Sequence, residues 1–105
     1  MENIIDEIFG KISAELLRAE SKFPWWPFDP LHAHAIVAEE FGELAKACVD
    51  FRFEHVERTT ATSRMEKEAI QAAAMCVRFL IGIGHYKTRG DDPAPIIYIK
   101  TEGEK

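Results

Sequence analysis

Glu68-Ala69-Ile70-Gln71-Ala72-Ala73-Ala74-Met75-Cys76-Val77-Arg78-Phe79-Leu80 decides the fold. Small and apolar side chains run almost all the way round a helical wheel in this stretch, and a helix of that kind must be covered by other helices. The stretch therefore predicts a central helix. Just upstream, Ser63-Arg64-Met65-Glu66 matches a capping box and sets the expected start. Thr59-Thr60-Ala61-Thr62-Ser63 reads as the turn before it. The helix should end between Gly82 and Gly90, with Gly90 a candidate residue just past the C-cap.

Two more helices lie on the N-terminal side. Over residues 3–22, Ile4, Ile5, Ile8, Ile12, Leu16 and Ala19 recur at helical spacing, with Glu7, Lys11, Glu15 and Arg18 on another face. Over residues 30–57, Ile36, Val37, Leu44 and Ala47 lie on one face of a second helix. Between them, Pro24, Pro27 and Pro30 forbid helix, while Phe23, Trp25, Trp26 and Phe28 predict an ordered loop pinned by its rings. Asp29-Pro30 reads as an N-cap followed by proline at the first helical position.

The expected fold is all-α: a helical bundle of three main helices in one domain spanning residues 1–105, with a tail over residues 91–105 that is extended or frayed. A chain of 105 residues has room for one core. So few helices leave apolar faces poorly covered, so the bundle should be completed by oligomerisation.

The formal net charge of -5 disfavours a grip on a nucleic-acid polymer. A small anionic substrate remains compatible with it, because a divalent cation inverts the local charge of an acidic pocket. Cys48 and Cys76 show no CxxC spacing and are expected to be reduced and buried. The first residues are acidic where a secretory signal would be basic, and no apolar run approaches membrane-spanning length. The expectation is a cytoplasmic protein with no membrane partner.

The chemistry centres on Glu39-Glu40-Phe41-Gly42-Glu43. An EExxE pattern alone is common on solvated helix faces, where Glu is a good helix former. Here its phase is inward, since Glu40 and Glu43 share an arc with Ile36, Val37, Leu44 and Ala47. A helical hairpin would bring Glu68 of the third helix towards them. Clustered carboxylates in a partly buried place need a cation, and hard oxygen ligands suit Mg2+, with Mn2+ as an alternative.

The stretch Ala38-Glu39-Glu40-Phe41-Gly42-Glu43-Leu44-Ala45-Lys46-Ala47 resembles the first motif of the MazG-like all-α nucleoside triphosphate pyrophosphohydrolases, and the stretch from Glu68 to Leu80 resembles the second motif of small phage-type and bacterial members. The resemblance implies a helical core and a homodimer or homotetramer. It implies Mg2+ between an EExxE and an ExxD helix, and cleavage of a nucleoside triphosphate to the monophosphate and pyrophosphate. By position it makes Glu40, Glu43 and Glu68 metal ligands, and Glu39 a further ligand or the catalytic base that orients water. Gln71 stands where the motif has Asp; its amide oxygen can coordinate the metal but brings no charge. That departure keeps an alternative in view: a non-catalytic helical oligomer that binds metal or nucleotide as a regulatory module. A purely structural helical protein with solvated glutamates is the third reading.

Four further residues are candidate substrate contacts. Trp25 and Trp26 could stack on a nucleobase, although such a loop is more often a hydrophobic plug or a subunit contact. Lys46 could meet phosphate or pair with Glu43 one turn away. Arg78 interrupts an apolar helix; it could reach phosphate, with a buried ion pair to a motif glutamate the commoner outcome. His32 and His34 are expected to be structural or exposed rather than metal ligands.

Overall fold

The computed structural model describes residues 3–87, and within them the chain is all-helical. Helix α1 spans Ile4–Lys22, α2 spans Pro30–Phe53 and α3 spans Arg58–Ile81, followed by a short 3-10 turn at Gly82–His85. The expectations for Gly90 and for the tail over residues 91–105 lie outside the described residues. No helix among the described residues is long and apolar enough to cross a membrane.

The caps follow the sequence. Asn3 accepts from the Asp6 amide at 2.9 Å and starts α1, and Asp29 accepts from the Leu31 amide at 2.9 Å with Pro30 at the first position of α2. The connection between α2 and α3 is where expectation and structure part. Helix α2 stops at Phe53 rather than reaching residue 57, and α3 starts at Arg58 rather than Ser63. The threonine cluster is therefore helix, not turn. Two features explain this. Ala61 is buried, so the first turn of α3 is held by packing. The Thr62 hydroxyl donates to the carbonyls of Arg58 and Thr59 at 3.0 and 3.1 Å, so it no longer competes for the backbone in a non-helical form. The bends fall at residues 54–57 instead, leaving a hairpin loop short enough to force α2 and α3 antiparallel.

Helix α3 is central, as its composition requires: it packs on both α1 and α2. Lys11 meets Glu66, and Ala19 lies against Ala74 and Met75, so α1 runs parallel to α3 and antiparallel to α2. The buried core is built of small side chains: Ala19, Ala33, Ala47, Ala61, Ala72 and Ala74, with Met75 and Tyr86. Alanines let the helices approach closely but bury little apolar area each.

The loop between α1 and α2 is pinned, though by partners the sequence did not suggest. Trp26 donates its indole N–H to the Tyr86 hydroxyl at 2.9 Å, and that hydroxyl donates to the Phe79 carbonyl at 3.0 Å. The Lys87 amide donates to the Phe28 carbonyl at 2.9 Å. Gly82 makes the corner fit: a Cβ there would lie 3.0 Å from the Tyr86 oxygen and 3.2 Å from the Trp26 ring. The cysteines are free, as expected, but not buried: Cys48 is exposed and Cys76 half-buried. The apolar run around Cys48 did not reveal its exposure.

Candidate functional site

Antiparallel α2 and parallel α1 bring carboxylates from all three helices to mid-height of the bundle. Glu40 is half-buried on the inner face of α2. Its carboxyl is held above the ordinary glutamate range, chiefly by burial and then by repulsion from Glu68, Glu39, Glu43 and Glu15. Among the described residues, no basic group figures among the charges that shift it. Glu39, Glu40 and Gln71 line one cleft of about 390 Å³ together with Glu15, Trp25, Trp26 and Arg78. That volume lies within the range of small-molecule sites. Glu43 and Glu68 border an adjoining groove shared with Lys46, Asp50 and Arg64.

The predicted cluster thus meets as a set of charges. It is not a ready chelate: among the described residues no three Asp, Glu, His or Cys side chains stand close enough to hold a metal ion as they are. The two observations are compatible, because unneutralised carboxylates repel one another.

The remaining predicted residues fall as follows. Lys46 is mostly exposed and pairs with Asp50 at 3.6 Å, not with Glu43; Arg64 reaches the same Asp50 oxygen at 3.7 Å. Asp50 is the less exposed acid, one turn further along the helix, and so draws both cations. Arg78 is buried but forms no ion pair with a motif glutamate. It donates to the Phe23 carbonyl at 2.7 Å and more weakly to the Trp25 carbonyl at 3.4 Å, and its guanidinium lies 4.9 Å from the Trp26 ring centre. Loop carbonyls with no helical partner offer an arginine what a carboxylate would, without a second buried charge. Trp25 is exposed at the mouth of the cleft, with its ring 5.6 Å from that of His32. Trp26 is half-buried and packs on the core. His32 and His34 are exposed, as expected.

No family model, no curated protein and no solved structure matches this chain.

Two features of the site escaped the sequence. Glu15 contributes a fifth carboxylate from α1, only 14% exposed, and Arg18 grips it through two bonds of 2.6 and 2.9 Å. That grip holds the Glu15 carboxyl below its ordinary range. The signal was present. Glu15 falls on the stripe of Ile8, Ile12 and Ala19, the same inward phase that singled out Glu40. The second is a cavity of about 400 Å³ behind Trp26 and Arg78, bounded by Pro24, Pro27, Phe28 and His85. It is mostly apolar, with Glu20 on its wall and none of the predicted glutamates in its lining; the proline-aromatic loop was its only trace in the sequence.

Proposed function

We propose that the chain is a Mg2+-dependent nucleotide pyrophosphohydrolase that cleaves a nucleoside triphosphate, ribo or deoxy, to the monophosphate and pyrophosphate. The observation that carries this is Glu40: a half-buried carboxyl repelled by four others at a nucleotide-sized cleft, while the arginines on that cleft, Arg18 and Arg78, are engaged by Glu15 and by loop carbonyls. Such a cluster is costly to fold unless something cationic enters it. The motif resemblance of the α2 and α3 stretches supports the same reading, and so does the exposed Trp25 ring at the mouth.

Glu40, Glu43 and Glu68 would hold the ion, with Mn2+ a substitute for Mg2+, and the Gln71 amide oxygen could add a neutral ligand. The ion, when bound, supplies neutralisation of the triphosphate and its alignment. The protein does the rest. Glu39, exposed beside Glu40, orients a water for in-line attack on the α phosphorus. Trp25, and the exposed edge of Trp26, offer a stacking surface for the base. Arg78 keeps that aromatic loop in place through the Phe23 and Trp25 carbonyls rather than meeting phosphate itself. Lys46, exposed and only loosely held at 3.6 Å by Asp50, is free to swing towards a phosphate.

Pyrophosphate release from a nucleotide panel, with and without Mg2+, tests the reading. Glu40→Gln should lose roughly 100-fold or more in rate while keeping its helical content, since a metal ligand is worth several kcal/mol. Full activity in that variant sinks the assignment. Gln71 favours one second reading, a module that binds metal or nucleotide without turnover. It predicts a thermal shift with Mg2+ plus nucleotide and no pyrophosphate.

A further inference from the structure

Helix α2 is apolar on two opposite faces. The inner one, with Ala33, Ile36, Val37, Leu44 and Ala47, packs on α3. The outer one carries Leu31, Ala38, Phe41, Ala45, Val49 and Phe53, all exposed. Leu31 is 78% exposed and Phe53 70%, levels hard to reconcile with solvent as the resting neighbour of a 24-residue stripe. Its residues recur at the spacing of a helix–helix seam, and Ala38, Gly42 and Ala45 keep its centre low. Nothing lies within 4 Å of where a Gly42 Cβ would be, so the backbone is open to close approach there.

The stripe is also self-complementary. Its midpoint falls between Phe41 and Gly42. A two-fold axis through that point, perpendicular to the helix, lays one α2 antiparallel on another. Ala38 then meets the partner's Ala45, Phe41 rings meet beside the partner's Gly42, and Leu31 reaches the partner's Phe53. The charges agree with this register. Glu39 and Lys46 lie two turns apart on the same flank of α2, both exposed, and an antiparallel pair brings like flanks together. Each Glu39 thereby faces the partner's Lys46, twice by symmetry.

We propose that the outer face of α2 is the dimer interface of this protein, with a second copy seated antiparallel about the point between Phe41 and Gly42. The dimer also alters the acidic cleft, because Glu39 lines it. The partner's Lys46 arrives at its rim, so each cleft is completed by the other chain. The interface stands on the geometry of α2 alone; only the use of that lysine towards a phosphate rests on the nucleotide reading, and assembly can be measured without substrate.

Light scattering on the full chain should give the mass of two copies or an even multiple. Ala38→Glu should halve it with the helical circular dichroism unchanged, since Ala38 is exposed in the single chain. Lys46→Glu should shift the equilibrium towards the smaller species, because it sets a second carboxylate against Glu39 across the interface. The register is read by oxidation in a Cys48→Ser background, because Cys48 is an exposed thiol on the same helix: Ala38→Cys/Ala45→Cys should crosslink into covalent dimers, while Ala38→Cys alone should not, because the partner's position 38 lies about 10 Å away along the axis. A monomeric wild type overturns the proposal, whether water or another segment of the chain covers the face. So does a dimer that Ala38→Glu leaves intact, or one that crosslinks through Ala38→Cys alone.

Discussion

Two neighbouring regions of this bundle handle buried polarity in opposite ways. Around Trp26, Arg78 and Tyr86, the contacts join opposites: donor to carbonyl, hydroxyl to indole, guanidinium to ring face. Around Glu40, a few residues away on the same cleft, like charges face one another and the carboxyl is driven towards its neutral form. The first arrangement stabilises the chain by itself. The second works against the fold while its carboxylates are ionised. A small protein with a core of alanines has little stability in reserve. On the function proposed above, the repulsive cluster is where the ligand enters.

The contrast can be broken from the satisfied side first. Arg78→Leu removes the bond to Phe23, the weaker one to Trp25 and the contact with the Trp26 face. We expect a loss of about 3 kcal/mol by denaturant unfolding, since a bond from a charged donor contributes ~1.5–3 and a desolvated ring contact ~1–2. A loss below ~1 kcal/mol would mean the loop is held without it. Tyr86→Phe is milder: it keeps the ring against Phe79 but leaves the Trp26 N–H without its acceptor. The expected loss is about 1–2 kcal/mol, the usual penalty for one partly buried group left unpaired. An unchanged midpoint would show that water replaces the hydroxyl.

This contrast also explains what could be read from the sequence. Helix positions, the Asp29-Pro30 start and the inward phase of Glu40 follow from periodicity and caps, which are local. The partners of Arg78, Lys46 and Trp26 do not. Each chose between groups far apart in sequence, and the choice fell on loop carbonyls, Asp50 and Tyr86 once the helices had docked. The α2–α3 turn was misplaced for a related reason: residues 59–63 have turn chemistry, but burial of Ala61 outweighs propensity. Glu15 differs from these, because its spacing with Ile12 and Ala19 was as local as that of Glu40. Its neighbours Lys11 and Arg18 give that face a solvated look in the sequence.

The smallest effect expected is the most telling. The Glu40 carboxyl binds its proton more tightly in the folded chain than in the unfolded one. The stabilisation from that proton is complete below the ordinary glutamate range and is lost as pH rises through the elevated value; at neutral pH the ionised group works against the fold. Glu40→Gln removes the charge and keeps the shape. Without divalent ions, the variant should match the wild type at acidic pH and become the more stable of the two as pH rises to neutrality, by less than either loss above because Glu40 is only half-buried. Adding Mg2+ should raise the wild-type melting temperature and leave the variant nearly unmoved, narrowing or reversing the order. A variant less stable than the wild type at neutral pH without metal would mean that Glu40 already has a counter-charge in the protein, and the acidic cleft would then be of the same kind as the Arg78 cluster beside it.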